Sequence, residues 1–192
     1  MSVFEYLGVI LSVIMGLGLT HILVGLSKTI QDRKSVKPYW VHTVWAFNSL
    51  IFIVVIWWGM FWWSNQQDWL FYQFLLLILY AIVLFLLASL LYPWNFPADF
   101  DFEKHFFNTR PWFFSTLALA WVIDIPETLL KSRYQLRDLP PGYPFLVSTF
   151  IALGLVGAIW SNKIYHKIFA VLWGTFTVIY LSATTLREIA AG

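Results

Sequence analysis

The sequence contains no cysteine and few charged residues. Without cysteine, the chain cannot form disulfides, thiolate nucleophiles, iron–sulfur clusters or cysteine-based zinc sites. Asp, Glu, Lys and Arg make up only 11% of the 192 residues, compared with about 25% in soluble globular proteins. The net charge of +2 is too small to supply the basic field that nucleic-acid binding requires. These absences exclude an ordinary soluble enzyme, a disulfide-stabilised scaffold and a nucleic-acid-binding domain.

Apolar residues are abundant instead, at 60% of the chain, and aromatic residues reach 20%. A soluble domain of this size cannot bury so much apolar surface and still cover itself with charge. Five stretches lack every Asp, Glu, Lys and Arg and are long enough for the ~18 residues of a membrane-spanning helix. They predict membrane spans at 3–27, 39–63, 69–92, 144–161 and 167–186.

A further apolar segment, 112–131, is interrupted by Asp124, Pro126 and Glu127. A carboxylate near the middle of the bilayer costs about 2.5–3.5 kcal/mol, which the other apolar residues of the segment can offset. We therefore predict a sixth span with a kink at the proline; the alternative is five spans and a re-entrant half-helix at 112–131. The predicted fold is an all-α bundle of six transmembrane helices, with residues 1–192 forming one integral membrane domain.

The distribution of basic residues predicts the orientation of these spans. With six spans, 8 of the 12 Lys and Arg residues fall on the side of the first loop, and the remaining 4 fall on the opposite side. Basic loops stay in the cytoplasm, so both termini are expected outside. A five-span arrangement separates the basic residues better, 10 against 2, but we retain six spans because the segment 112–131 is long and apolar enough to cross.

Two histidines, His21 and His42, are predicted within spans one and two at depths that differ by only about 3 Å. Gly18 and Gly25 share the helix face of His21, and their small size would leave room for a flat ligand such as haem b with histidine axial ligands. The simpler alternative is that each imidazole binds a backbone carbonyl or a lipid head group. A metal-binding or proton-relay role is a third alternative.

Asp124 and Glu127 are three residues apart and therefore share a helix face. Pro126 lies between them and frees a backbone carbonyl nearby. Two carboxylates and a carbonyl suit cation binding or proton transfer, and ionisable residues inside a membrane mark functional sites. The alternative is an ion pair between Glu127 and Lys131, one turn further along the helix. The pair of carboxylates predicts a channel- or transporter-like module for an ion, a proton or a small solute.

The longest loop carries Asp99, Asp101, Glu103 and His105 at alternate positions. An extended loop would place all four on one face, where they would suit a metal ion. A short helix is favoured instead, with Asp99 as its N-cap and the sequence Asn-Thr-Arg-Pro, which ends at Pro111, as its stop. No nucleotide-binding glycine loop and no catalytic triad is recognisable, so the sequence assigns no catalytic residue and does not favour an enzyme.

Small or short polar residues recur every four positions in the first span, at Gly8, Ser12, Gly16 and Thr20. Such a stripe allows two helices to approach closely in a membrane, either within one chain or between two copies. We therefore expect a homo-oligomer or a subunit of a membrane complex. An accessory role without chemistry of its own, acting through the tryptophan-rich hairpin between spans two and three, is an alternative function.

Three segments of the chain carry a resemblance to known proteins. They read GLGLTHILVGLSKTIQDRKSVKPYWVHTVWAFN, EKHFFNTRPWFF and SNKIYHKIFAV. The chain resembles a group of small multi-pass bacterial inner-membrane proteins that has no assigned activity. The resemblance implies a bacterial inner-membrane location, and it transfers no catalytic or binding residue.

Overall fold

The computed structural model describes residues 2–95, 97 and 99–191, with side chains described as far as Ser182. The described residues form six α-helices, and a 3-10 turn, Phe61–Asn65, follows the second helix. The helices are α1 (Val3–Gln31), α2 (Trp40–Met60), α3 (Phe71–Ser89), α4 (Phe102–Arg133), α5 (Tyr143–Ile159) and α6 (Lys163–Ala191). The all-α fold class is confirmed.

Five of these helices are long and apolar enough to cross a membrane, namely α1, α2 with its 3-10 turn, α3, α4 and α6. The segment 112–131 lies inside α4, which continues without interruption through Pro126 for 32 residues, or about 48 Å. It is therefore not a half-helix. The short apolar helix is α5, whose 17 residues span about 25 Å.

The start of α4 differs from the prediction. Asp101, rather than Asp99, is the N-cap, and its carboxylate accepts a hydrogen bond from the backbone N–H of Lys104. Residues 99–101 cannot join the helix because they lie against the first loop, where the Lys37 N–H donates to the Phe100 carbonyl at 2.8 Å. The predicted stop at Pro111 is also wrong: the helix continues, because Phe106 before the proline and Phe113 and Phe114 after it are buried in the core.

Contacts at both ends of the bundle show that successive helices alternate in direction. We call the end with His21 and the α1–α2, α3–α4 and α5–α6 connections the histidine end. There, Glu103 at the start of α4 forms an ion pair with Lys163 at the start of α6. At the opposite end, which contains Trp63 and is called the tryptophan end, the hydroxyl groups of Tyr72 and Tyr134 lie 3.1 Å apart.

The interior of the bundle is aromatic and its exterior is apolar. Trp45 is fully buried and contacts the rings of Phe114, Phe169 and Trp173, with ring centroids 5.0 to 5.6 Å apart. Large apolar side chains remain exposed along the outside of the helices, as Val9, Val13 and Leu17 do on α1. An outer surface of this kind is stable in lipid and not in water. The chain is an integral membrane protein whose helices contact the bilayer.

Glycines on two helices have different surroundings. A Cβ atom added at Gly8 or Gly16 would meet nothing within 4 Å, so these two positions of the stripe on α1 make no close helix contact with the described residues. On α5, a Cβ at Gly157 would lie 3.1 Å from the ring of Phe114. Close helix packing therefore uses Gly157, where α5 lies against α4, and not Gly8 or Gly16.

Candidate functional site

A cavity of about 280 Å³ lies between the helices on the tryptophan side of the aromatic core. Residues from α2 to α6 and from the α4–α5 connection form its wall. Three rings form its floor: Phe52, Trp121 and Trp173 contact one another, with centroids 5.5 to 5.9 Å apart. The polar wall combines both signs of charge and contains Asp124, Glu127, Thr128, Lys131 and Arg137. Both predicted carboxylates therefore face the same cavity.

Asp124 is buried, with 8% of its surface exposed, and its carboxylate accepts hydrogen bonds from three hydroxyl groups. The Tyr143 hydroxyl donates to Oδ2 at 2.7 Å, the Tyr80 hydroxyl to Oδ1 at 3.1 Å, and Thr128 to Oδ2 at 3.4 Å. Among the side chains that the structure describes, no Lys, Arg or His forms an ion pair with Asp124. The buried carboxylate is thus held by neutral donors alone.

Glu127 has a cation of its own. Its Oε1 lies 2.5 Å from the Lys131 ammonium group, and both side chains are almost fully buried. The Trp63 indole N–H also donates to Oε1 at 2.8 Å, while Lys131 donates to the Gly59 carbonyl at 2.7 Å. The ion pair considered as an alternative from the sequence is therefore present. It connects α4 to the end of α2 and balances the charge of Glu127.

Arg137 also lines the cavity, although the sequence did not indicate it as a site residue. The connection after α4 folds back, so that the Arg137 N–H reaches the Lys131 carbonyl, 3.4 Å away. Its guanidinium group lies over the Trp62 ring, 5.6 Å from the centroid, and donates to the Tyr180 hydroxyl at 3.4 Å. Within the described residues it has no carboxylate partner. No local pattern indicates this position, because it depends on the course of the connection.

Three histidines form a second polar cluster at the histidine end of the bundle, around two backbone carbonyls that follow α3. The Nε2 atom of His21 lies 2.8 Å from the Tyr92 carbonyl, and that of His42 lies 2.7 Å from the Leu91 carbonyl. His105 also reaches the Leu91 carbonyl, at 3.0 Å. A carbonyl only accepts, so each Nε2 donates. The carbonyls just beyond a helix end lack partners within the helix, and the imidazoles supply them. The backbone-carbonyl alternative is confirmed.

The space expected beside His21 is filled by the protein itself. A Cβ at Gly25 would overlap the ring of Tyr92, and a Cβ at Gly18 would lie 3.4 Å from the Cβ of Ala88. The His42 ring contacts Tyr92 edge-on, with centroids 4.8 Å apart. The glycines thus admit α3 and Tyr92 rather than a flat ligand, and these residues do not fit a haem between the two histidines.

The four alternating residues before and within α4 do not converge on one point. Asp101 caps the helix, Glu103 pairs with Lys163, and His105 donates to a carbonyl. Across the described part of the chain, no group of three or more His, Asp or Glu side chains is arranged to hold a metal ion. The helical interpretation of this segment is confirmed in kind, with its start displaced by two residues.

Comparisons with protein-family models, with curated proteins and with solved structures found no match to this chain. The function therefore has to be argued from the cavity and its residues alone.

Proposed function

We propose that the protein is a transporter-like membrane module that takes an ion, a proton or a small solute into the cavity around Asp124. The single observation that supports this function is a buried carboxylate without a cation of its own, facing a cavity inside a membrane bundle. Such a group is costly in a membrane, and its presence there points to binding or proton exchange. Glu127, the second residue of the proposed pathway, acts through its pair with Lys131 and maintains the wall beside Asp124.

The closed floor of the cavity favours a transporter over a channel. Below Asp124, the ring of Trp121 contacts Phe52 and Trp173, and Trp173 in turn contacts Trp45. This aromatic packing separates the cavity from the histidine end. A cavity closed toward one end is the arrangement expected for alternating access, in which the bundle opens first to one side and then to the other.

We further propose six membrane crossings in a bacterial inner membrane, with both termini outside. The ion pair between Glu103 and Lys163 supports the crossing by α5, because it holds the starts of α4 and α6 at the same end. A helix of about 25 Å crosses ~30 Å of hydrocarbon when the bilayer thins locally. The uncovered glycines of α1 support a homo-oligomer, with this stripe as the contact between copies.

Flux measurements on reconstituted liposomes test the proposed function. Asp124→Asn keeps the size of the side chain and removes its charge, so we expect proton or solute flux to fall to the level of protein-free liposomes. Asp68→Asn is the matched control, since Asp68 is exposed and lies in the α2–α3 connection. Unchanged flux in Asp124→Asn, with both variants inserted equally, would contradict the proposal.

A further inference from the structure

We propose that the cavity binds a small zwitterion, with the ammonium group of the ligand at Asp124, its oxyanion at Arg137 and its apolar or aromatic body against the rings of the wall. This inference rests on the proposed function only in assigning the ligand to the same cavity. The class of solute follows from the charges and the aromatic rings of the cavity wall.

Two acidic and two basic side chains line the cavity. Glu127 and Lys131 neutralise each other through direct contact. Asp124 and Arg137 then remain, one of each sign, and neither forms an ion pair with another described residue. Both line the same cavity but belong to different elements, α4 and the connection that follows it. A site with one uncompensated charge of each sign is complementary to a ligand that carries both.

The surroundings of each charge suit the assigned group. Asp124 lies among the aromatic rings of the wall, which attract an ammonium group as the carboxylate does. The guanidinium group of Arg137 has donors to spare, since its only hydrogen bond to a described residue is the 3.4 Å contact with Tyr180. Guanidinium groups bind carboxylates and phosphates through two parallel hydrogen bonds. Stacking over Trp62 holds the planar group in place.

The size and walls of the cavity define the body of the ligand. A volume of about 280 Å³ is at the lower end of the range for small-molecule sites, about 300–1,000 Å³, so the ligand is a small solute. The rings of Phe52, Trp173 and Phe176 offer apolar contact. Trp121 adds a buried indole N–H that has no acceptor among the described residues, and an oxygen atom on the ligand would satisfy it.

Ligands with a single charge fit less well. An organic cation at Asp124 would leave the Arg137 guanidinium without an anion and would add a third cation to a wall that already contains Lys131. An anion at Arg137 would leave the Asp124 carboxylate buried without a cation. The second case leaves a buried charge uncompensated, which is costly, and the first leaves the half-buried Arg137 without an anionic partner.

Three probes with one common body test this assignment. Binding to the full-length protein in nanodiscs would be measured by calorimetry for L-phenylalanine, phenethylamine and 3-phenylpropionate. We expect the zwitterion to bind at least about tenfold more tightly than either singly charged probe, since each charged contact contributes on that scale. Equal binding of the amine or of the acid, or no binding of any of the three, would overturn the proposal.

Two charge-removing variants assign the ends of the ligand. Arg137→Gln should abolish the preference for the zwitterion over the amine, and Asp124→Asn the preference over the acid. Arg133→Gln and Asp68→Asn are the matched controls, since both residues are exposed and lie outside the cavity; both should retain the preferences. Preferences that survive Arg137→Gln and Asp124→Asn would overturn the assignment.

The same preparation distinguishes this inference from the proposed function. Tight, variant-sensitive binding of L-phenylalanine without uptake into liposomes would support the zwitterion site and contradict transport. Proton flux that depends on Asp124, together with no binding of the three probes, would support transport and overturn the zwitterion site.

Discussion

At the scale of single residues, Glu127 and Lys131 show how the membrane bundle accommodates buried charge. The two side chains form an ion pair with each other. Lys131 also donates a hydrogen bond to the end of α2, and Glu127 accepts one from the turn that follows α2. A buried pair of this kind contributes little net stability but is costly to break on one side only. Asp124 differs, because neutral hydroxyl groups hold it and it forms no ion pair with a described side chain.

Removing one member of the buried pair should destabilise the protein more than removing both. Lys131→Met leaves Glu127 as an uncompensated buried carboxylate, a change that costs about 3–5 kcal/mol in comparable sites. We expect a lower thermal midpoint in detergent for Lys131→Met, and partial recovery when Glu127→Gln is added. The thermal midpoints of both variants would be measured from size-exclusion profiles after heating. A double variant less stable than Lys131→Met alone would contradict the assigned pair.

The site was partly predictable from single residues. The spacing of Asp124 and Glu127 along one helix places both on one face whatever the fold, and the Lys131 pair follows from the same rule. Arg137 could not be predicted, because a connection of irregular backbone brings it to the cavity. Two of the hydroxyl donors to Asp124, Tyr80 and Tyr143, come from α3 and α5, and a sequence without pairing information does not bring them together.

At the scale of elements, α4 and α5 form a closely packed pair through small residues. A Cβ added at Gly154 would lie 3.3 Å from the Cβ of Ala118, and the ring of Phe114 lies beside Gly157. In a membrane, close approach of backbones replaces the hydrophobic driving force between helices. The course of α4 through Pro111 has a similar origin, since buried aromatic side chains on either side hold the helix. Local stop signals in the sequence therefore misplaced the helix boundary.

A pair of glycine substitutions tests this packing. Gly157→Ala would place a methyl group 3.1 Å from the Phe114 ring, which is fully buried and has little room to move away, so we expect a lower thermal midpoint. Gly16→Ala adds a methyl group that meets no other atom within 4 Å, so the midpoint of the monomer should not fall. Equal stability of Gly157→Ala and wild-type protein would contradict the α4–α5 packing.

At the scale of the whole molecule, the distribution of charge accounts for most of the fold. Long charge-free stretches predicted the helices because lipid admits few uncompensated charges. The limits of this rule lie in α4 and α5: the first carries two carboxylates inside its apolar stretch, and the second has only 17 residues. Two contacts at the histidine end organise the bundle: the hydrogen bond from Lys37 to Phe100 and the ion pair between Glu103 and Lys163. Neither contact has a sequence signature.

The central claim, a bundle with six membrane crossings, can be tested directly because the chain has no cysteine of its own. Single cysteines would be introduced at one exposed position in each connection, and intact cells would be treated with a membrane-impermeant thiol reagent. The positions, in chain order, are Ser35, Gln67, Asn95, Asp138 and Ser161.

We expect the cysteines at Gln67 and Asp138 to react in intact cells, and those at Ser35, Asn95 and Ser161 to react only after the membrane is opened. The pair Asp138 and Ser161 decides the crossing by α5, because these positions flank that helix. Labelling of both from the same side would contradict six crossings. Labelling of all five in soluble extract without detergent would contradict the membrane bundle itself.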